Sequence, residues 1–249
     1  MDGPVEDVFA TGAYWSEYYT SLGHENREVG EFLAQLTREL SPTGGLRILD
    51  AGCGPTVLYW SVFARGCNSL YGFDLNAANI ADNHRRIEAA RAGSVDSGLI
   101  EAARHAIGLF GLAQSPQEVV AQKAHQVVDL KVADLTRTWP YADGKFDLVQ
   151  SCFAFEQLPD WVSFHAALLE ARRVLRPSGR LAIVSTAYGN GWLCGEQHFE
   201  TLYVTADQLR WASADAGFAV EELREIASSD SSWRDQGYGR VLLMHARRM

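Results

Sequence analysis

The chain of 249 residues has few of the features that mark secreted, membrane-spanning or metal-binding proteins. Its four cysteines, at 53, 67, 152 and 194, include no C-x-x-C pair, and its seven histidines show no metal-ligand spacing. We therefore expect free thiols in a reducing compartment and no metal site. The sequence has no run of 18 apolar residues, and its first residues lack a basic segment followed by an apolar one. The composition thus predicts a cytoplasmic protein with neither a membrane span nor a signal peptide.

Positive charge is also scarce. The chain has 22 lysines and arginines against 31 aspartates and glutamates, which gives a net charge of −9. Such a balance argues against binding to the phosphate backbone of a nucleic acid. The hydrophobic fraction of 47% is sufficient for a core, and we expect one domain over residues 1–249, present as a monomer.

Apolar strands and helical patterns alternate along the chain. Strands are predicted at about 46–50, 69–73, 128–132, 146–151, 180–185, 219–227 and 239–247, and helices at about 14–40, 56–65, 77–92, 161–175 and 205–216. The alternation predicts an α/β fold: a Rossmann-like, doubly wound, mostly parallel sheet of about seven strands with helices on both faces. Residues 93–126 form an insertion with two helical segments, and residues 186–204 are predicted to be a loop.

The most informative segment follows the first predicted strand. It reads Leu49-Asp50-Ala51-Gly52-Cys53-Gly54-Pro55-Thr56. Glycines at such a turn permit positive φ and a close approach of a ligand to the main chain. Asp74 ends the next strand about 20 residues later, where a carboxylate binds ribose hydroxyls. Together these residues predict a site for a cofactor that contains adenosine.

The turn lacks the features that bind phosphates. The third glycine of a dinucleotide fingerprint is missing, and no Lys-Ser or Lys-Thr follows the glycines. S-adenosylmethionine suits such a turn, because it contains adenosine and an amino acid but no phosphate. The segment resembles motif I of the class I S-adenosylmethionine-dependent methyltransferases. A turn that needs its glycines only for its own conformation is the alternative.

Other cofactor contacts are expected at the carboxyl ends of the strands, where ligands bind in such sheets. Asp134 and the Leu135 backbone are expected at the adenine amino edge, and Ser151 near the methionine portion. The alternative for Asp134 is a solvated acid at a strand end. Further contacts are expected from Thr56, Leu75, Asn79 and Cys152.

Four segments carry a narrower resemblance. In chain order they are Tyr14-Trp15-Ser16-Glu17-Tyr18-Tyr19, Gly52-Cys53-Gly54-Pro55-Thr56, Cys152-Phe153-Ala154-Phe155-Glu156 followed by Pro159-Asp160, and Gly195-Glu196-Gln197-His198-Phe199. They resemble the family that contains nicotinamide, phenylethanolamine, indolethylamine and thioether methyltransferases. The resemblance covers most of the chain, and the insertion at 93–126 occupies the same place as in that family.

This resemblance implies a reaction and roles for several residues. Residues 1–40 would contain a lid in which Tyr14 and Tyr19 cover the ligands, and Glu156 would face the acceptor. The implied reaction transfers a methyl group from S-adenosylmethionine to a nitrogen of a small amine or azaheterocycle by in-line displacement. Glu156 would bind the amine or take its proton. The pocket walls are expected from Tyr14, Trp15, Tyr18, Phe153, Phe155, Tyr188 and Trp192.

Each of these segments also has a simpler interpretation. The N-terminal tyrosines and Trp15 could form one aromatic stripe that docks a helix, Glu156 could be a surface acid, and Gly195-Glu196-Gln197 could be a turn. The loop after the fifth strand departs from the family, because residues 186–192 contain no acid, and Ser185 stands where the nicotinamide-type members have one. A second polar contact is therefore expected from Asn190, Thr201 or Asp235, and Gly189 and Gly191 imply a roomier or more mobile loop.

Two other functions stay open. The first is an oxygen, carbon or sulfur methyltransferase that acts on a small specialised metabolite. The second, of a different class, is a noncatalytic cofactor-binding subunit of a methyltransferase pair. Such a subunit would keep the fold while losing the cofactor residues, and Asp50, Gly52, Gly54 and Asp74 are all present.

Overall fold

The computed structural model describes residues 11–41, 44–227 and 237–249. Its main sheet has seven strands: β1 (Leu46–Ala51), β2 (Cys67–Asp74), β3 (Val127–Val132), β4 (Phe146–Cys152), β5 (Leu175–Ala187), β8 (Phe218–Ala227) and β9 (Arg240–Arg248). A separate hairpin consists of β6 (Gly191–Cys194) and β7 (Gln197–Glu200). The helices are α1 (Thr11–Tyr18), α2 (His24–Leu40), α3 (Val57–Ser61), α4 (Ala77–Arg91), α5 (Ser97–Phe110), α6 (Pro116–Gln126), α7 (Trp161–Val174) and α8 (Ala206–Asp215).

The strand order is β3-β2-β1-β4-β5-β9-β8. β1 pairs in parallel with both β2 and β4, while β9 runs antiparallel to β5 and β8. The predicted Rossmann-like, mostly parallel α/β fold is therefore confirmed. Because the chain order reverses direction at β1 and β4, a crevice is expected outside the carboxyl ends of these two strands.

Apolar residues cover both faces of the sheet. Successive side chains of β1 alternate between the faces, so Ile48 joins the core beneath α2 while Leu49 joins the core beneath α7. Phe32 and Leu33 of α2 are buried on the first side, and Phe164 and Leu168 of α7 on the second. No helix in the described ranges is long and apolar enough to cross a membrane.

The insertion supports the N-terminal segment. Its helices were predicted at 99–112 and 116–127, close to the observed bounds of α5 and α6. A Cβ atom on Gly98 would lie 1.6 Å from the carbonyl oxygen of Tyr19, so α5 begins directly against the end of the α1 segment. The Leu22 amide donates to the Glu101 carboxylate at 2.9 Å. The insertion thus fixes the segment that directly follows α1.

Three predictions of local structure differ from what is observed. The helix predicted at 56–65 is α-helical only over Val57–Ser61. β5 begins at Leu175, within the predicted turn, and its pairing with β4 shifts around Ser178, where φ is +61°. The predicted loop at 186–204 contains the β6–β7 hairpin. Its strands have four residues each, too few for an alternating pattern to stand out in the sequence.

The predicted role of Gly189 and Gly191 as sources of a roomier, more mobile loop is wrong. A Cβ atom on Gly189 would lie 2.1 Å from the carbonyl oxygen of Gly237, and one on Gly191 would lie 2.2 Å from the His198 ring. Both glycines are therefore positions of close packing. Gly189 lets the chain after β5 pack against the segment that precedes β9, and Gly191 lets β6 pack closely on β7.

Candidate active site

The turn after β1 has a backbone that only glycine adopts readily. Gly52 has φ of +68°, and a Cβ atom there would lie 2.5 Å from the Ala154 Cβ and 2.9 Å from the Leu135 Cδ1. The Cys53 amide donates to the Phe73 carbonyl at 2.9 Å, which ties the turn to β2. The main chain of the turn is thus packed closely between the segments that follow β3 and β4.

Asp74 connects the ends of β1, β2 and α4. Its Oδ2 accepts from the Gly54 amide at 2.8 Å, and its Oδ1 accepts from the Asn76 amide at 2.8 Å and the Asn79 side chain at 3.0 Å. Burial raises its pKa, and these three donors oppose the rise. The carboxylate therefore lies at the predicted strand end, held beside the glycine turn.

Asp50 is a fully buried carboxyl group at the carboxyl end of β1. Neither of its carboxylate oxygens has a hydrogen-bond partner among the described residues. Burial raises its pKa to about 7, an effect that its register neighbour Gln150 on β4 partly offsets and Asp74 reinforces. A buried acid without an ion-pair partner is costly, so a cation beside it would stabilise it. The α-ammonium group of S-adenosylmethionine is such a cation, and these residues fit that cofactor.

The other predicted cofactor residues surround this turn in different ways. Thr56 donates through its hydroxyl to the Cys53 carbonyl at 3.0 Å. Asn79 contacts Asp74 and also accepts from the Thr11 hydroxyl at 2.9 Å, which links α1 to this end of the site. Leu75 directly follows Asp74, the candidate for ribose binding, and this apolar residue is 67% exposed.

Two predicted contacts are engaged with the protein itself. The Ser151 hydroxyl donates to the Ala51 carbonyl at 2.7 Å and is buried, so it joins β4 to β1. Asp134 Oδ1 accepts from the Thr136 amide and hydroxyl, both at 2.8 Å, in a local turn. Leu135 lies against Gly52 through its side chain. The placement of Asp134 and Leu135 at the adenine stays a prediction.

α1 lies over the site and makes contact with the hairpin. The Tyr18 hydroxyl donates to the Leu193 carbonyl of β6, and the Gly195 amide donates to Glu17 at 2.8 Å. The Tyr14 ring lies 5.4 Å from the Trp192 ring, centroid to centroid, and the hydroxyls of Tyr14 and Tyr19 are 3.2 Å apart. The segment therefore bridges the cofactor end and the β6–β7 hairpin.

Part of α1 also agrees with the alternative interpretation, in which its aromatic residues dock the helix onto the rest of the protein. Trp15 is buried, stacks on Tyr19 at 5.5 Å, and has the Arg86 guanidinium 3.5 Å from its ring centroid. One side of α1 thus anchors the helix to α4, while Tyr14 and Tyr18 point towards the hairpin.

Glu156 lies in a short 3₁₀ turn after β4 and is fully buried, which excludes the surface-acid interpretation. Its Oε1 accepts from the Thr186 amide at 2.9 Å and the Thr186 hydroxyl at 3.2 Å. Its Oε2 is buried and has no hydrogen-bond partner among the described residues. Burial raises its pKa to about 7, against the opposing hydrogen bonds from Thr186 and Ser185.

Electrostatic contacts show which groups face Glu156. The buried thiol of Cys152 is influenced by both Asp50 and Glu156, and burial together with these acids raises its pKa far above the usual range. Cys152 thus lies between the cofactor turn and Glu156. Tyr14 and Tyr238 also face the Glu156 carboxylate, and burial raises the pKa of both phenols. Glu156, Cys152, Tyr14 and Tyr238 are therefore a buried group of electrostatically coupled side chains, which we call the candidate acceptor end.

Tyr238 is a further candidate site residue that the sequence did not predict, since the charge of Glu156 acts on its phenol. It is buried in the segment before β9, between Gly237 and Gly239. Gly237 has φ of +99° and packs on the Gly191 carbonyl. An aromatic residue between two glycines was the available signal, but such a pattern commonly marks an ordinary turn.

The structure brings only part of the predicted acceptor wall together. Trp192 stacks on Phe199 at 4.6 Å and contacts Tyr14 and Tyr18. Phe153, with φ of +60°, lies near Trp60, with 6.4 Å between ring centroids.

Other predicted wall residues lie elsewhere. The Tyr188 hydroxyl donates to Glu225 of β8 at 2.7 Å, and Phe155 packs on Phe164 in the opposite core. Asn190 is exposed and accepts from the Thr201 amide at 3.0 Å through its main chain, at the base of the hairpin. Asp235 lies outside the described residues.

Comparison with known proteins agrees with this geometry. The model of the NNMT/PNMT/TEMT family matches residues 4–249. The chain is 22% identical to nicotinamide N-methyltransferase of Sus scrofa over 229 residues, covering 88% of this chain and 85% of that protein. It is 27% identical to the O-methyltransferase cnsE of Penicillium expansum over 206 residues, covering 77% of this chain and 60% of that protein. A solved S-adenosylmethionine-dependent methyltransferase from Methanosarcina mazei superposes with a TM-score of 0.59 at 17% identity, covering 83% of this chain and 94% of that one.

The sheet order, the glycine turn and the acid that follows it define a class I methyltransferase fold that uses S-adenosylmethionine. Within that class, the chain belongs to the NNMT/PNMT/TEMT family.

Proposed function

We propose that this methyltransferase transfers the methyl group to a nitrogen of a small amine or azaheterocycle, and that Glu156 binds this acceptor. The observation that carries the proposal is the buried Glu156 carboxyl, with one oxygen held by Thr186 and the other without a described partner. An amine supplies both a hydrogen-bond donor and a positive charge for that oxygen. A charge-assisted contact of this kind compensates the cost of burying the acid.

When bound, the cofactor supplies a methyl group on a sulfonium, so the reaction is an in-line displacement by a lone pair. The acceptor nitrogen forms the new C–N bond as the C–S bond breaks, and the bonding electrons remain on sulfur. The protein's task is therefore to hold the nitrogen in line and to desolvate it. Tyr14, Tyr18 and Trp192 close the site from the side of α1 and the hairpin.

Glu156 also offers a destination for a proton. With a pKa of about 7, the carboxyl is partly ionised at neutral pH and can take a proton from an ammonium acceptor before or during transfer. An alcohol would need a much stronger base. The chemistry of the Glu156 carboxyl therefore supports a nitrogen acceptor, and so does the position of this carboxyl.

A phenolic oxygen is the second candidate, because one relative of the chain is named as an O-methyltransferase. A noncatalytic role finds less support. The buried Asp50, the positive-φ turn at Gly52 and the Asp74 carboxylate beside the Gly54 amide support a working cofactor site instead.

The proposal is tested by incubating the purified protein with S-adenosylmethionine and a panel of small amines, azaheterocycles, phenols and thiols. Product mass and position of methylation identify the acceptor atom. Methylated phenols without methylated amines would overturn the nitrogen assignment. No methylated product from any compound class, with intact cofactor binding, would favour the noncatalytic subunit.

We predict that Glu156→Gln lowers kcat/KM for the amine about 10²- to 10⁴-fold if the carboxylate accepts a proton, and about 2- to 10-fold if it only accepts a hydrogen bond from the substrate. Affinity for S-adenosylhomocysteine should remain within about twofold of the original, since Glu156 lies at the acceptor end. Glu88→Gln, an exposed acid paired with Arg91, is the matched control. Equal rates and pH profiles for Glu156→Gln and the unchanged protein would remove Glu156 from the site.

A further inference from the structure

Thr186 provides two of the hydrogen bonds that hold the Glu156 carboxylate. It lies near the end of β5, is buried, and donates to the same oxygen, Oε1, through its amide at 2.9 Å and its hydroxyl at 3.2 Å. The main chain of Glu156 is held separately, because its carbonyl accepts from the Leu202 amide at 2.8 Å. Thr186 thus supplies two donors to the same oxygen of the Glu156 carboxylate.

We infer that Thr186 is a positioning residue for Glu156, which fixes one carboxylate oxygen and thereby directs the other towards the acceptor nitrogen. The inference rests on the proposed role of Glu156 in binding the acceptor. Two donors on one oxygen restrict rotation about the terminal torsion of the side chain, which is otherwise broad for glutamate. Positioning of this kind supplies much of the rate in a displacement that depends on alignment.

The protonation state of the Glu156 carboxyl depends on its neighbours, and the Thr186 hydroxyl is one of them. The charge of Glu156 acts on Tyr14 of α1, Cys152 of β4 and Tyr238 before β9, and because burial raises the pKa of each above its ordinary value, all three are neutral at neutral pH. They do not stabilise a carboxylate as a cation would. The Thr186 amide acts most strongly against the effect of burial on the Glu156 pKa, followed by the main chain of Glu156 itself, the Thr186 hydroxyl and the Ser185 hydroxyl. Loss of the Thr186 hydroxyl should therefore favour the protonated acid.

The test measures the titration of Glu156 itself and needs no acceptor. Glutamate labelled with ¹³C at the carboxyl carbon is incorporated, and the Glu156 signal is identified as the one lost in Glu156→Gln. In the unchanged protein we expect a midpoint near pH 7. Thr186→Val keeps the amide donor and removes the hydroxyl, and should raise the midpoint by about one to two pH units. Thr186→Ser should restore a midpoint close to the original.

Controls separate this effect from a general loss of stability. Thr37→Val removes another buried hydroxyl, one that donates to the Leu33 carbonyl in α2, and should leave the Glu156 midpoint unchanged. Thr186→Ala is measured beside Thr186→Val, so that one folded variant without the hydroxyl is obtained. An unchanged midpoint in both Thr186 variants would overturn the inference.

The same variants then distinguish this inference from the proposed function. If the Glu156 midpoint rises in Thr186→Val and the midpoint of the pH profile of kcat/KM for an amine substrate moves up with it, the inference and the proposed function both stand. If the midpoint rises but only phenols are methylated, the coupling of Thr186 to Glu156 stands, while the direction of Oε2 towards a nitrogen is overturned.

Discussion

Asp50 and Glu156 are two buried acids that the fold holds in different ways. Burial raises the pKa of each to about 7. Asp50 has no described hydrogen-bond partner on either oxygen, whereas Thr186 holds one oxygen of Glu156. The first is suited to a cation that arrives with the cofactor. The second is anchored at Oε1, which leaves Oε2 for the proposed acceptor.

The two ends of the site are also assembled differently. The cofactor end consists mainly of residues 50–56 and Asp74, which lie on adjacent strands and follow one another closely in the chain. The acceptor end brings together α1, the turn after β4, the β6–β7 hairpin and the segment before β9. A change in any one of these segments can alter the acceptor without disturbing the cofactor turn. Variants at the two ends should therefore have separable effects.

The largest expected effect on cofactor affinity comes from Asp74→Ala. The substitution removes the carboxylate expected to bind the ribose and also the acceptor for the Gly54 amide. Each charge-assisted hydrogen bond contributes about 1.5–3 kcal/mol, so affinity for S-adenosylhomocysteine should fall about 100-fold or more, as measured by titration calorimetry. Asp143→Ala, at an exposed acid paired with Arg173, should bind normally. An affinity within about twofold of the original would show that the ribose binds elsewhere.

A change of pH is expected to have an intermediate effect on the affinity for S-adenosylhomocysteine. This effect distinguishes Asp50 from Glu156. The ammonium of S-adenosylhomocysteine favours the ionised form of Asp50, whose pKa without ligand is about 7. Below that pH, binding must displace a proton, so affinity should decrease about tenfold between pH 8 and pH 6. Asp50→Asn should nearly abolish this dependence, while Glu156→Gln should retain it. If Glu156→Gln abolished the dependence instead, the assignment of the two ends would be reversed.

The smallest effect is expected at the contact between the lid and the hairpin. Tyr18→Phe removes the hydrogen bond to the Leu193 carbonyl. Because a neutral hydrogen bond contributes about 0.5–1.5 kcal/mol, amide exchange in α1 should become about 2- to 10-fold faster. Addition of S-adenosylhomocysteine should slow exchange over residues 11–20 in the unchanged protein.

Tyr203→Phe, at a tyrosine that is 53% exposed, is the control for the Tyr18 substitution. Exchange in α1 that responds neither to the ligand nor to Tyr18→Phe would contradict a lid and favour a purely structural helix.

Local sequence was sufficient to predict the cofactor end. The apolar run of β1, the glycines at 52 and 54, and Asp74 after the next apolar run specify a strand, a positive-φ turn and a strand-end acid. Each depends on residues that are close along the chain, and the parallel sheet places their carboxyl ends together. The capped helix α8, which begins after Thr205 with a capping box to Gln208, was predictable for the same reason.

The acceptor end was decided by tertiary structure. Glu156 could be identified as a candidate from the sequence, but its burial and its anchoring by Thr186, 30 residues away, depend on how β4 and β5 lie side by side. The close packing of Gly189 against Gly237 and the approach of Tyr238 to Glu156 join segments that have no common pattern along the chain. Periodicity reports which face of an element is buried, but it carries no information about which distant residue will cover that face. The sequence by itself therefore determined the fold and the cofactor turn, while long-range packing alone determined the environment, and hence the charge, of the carboxyl group at the acceptor end.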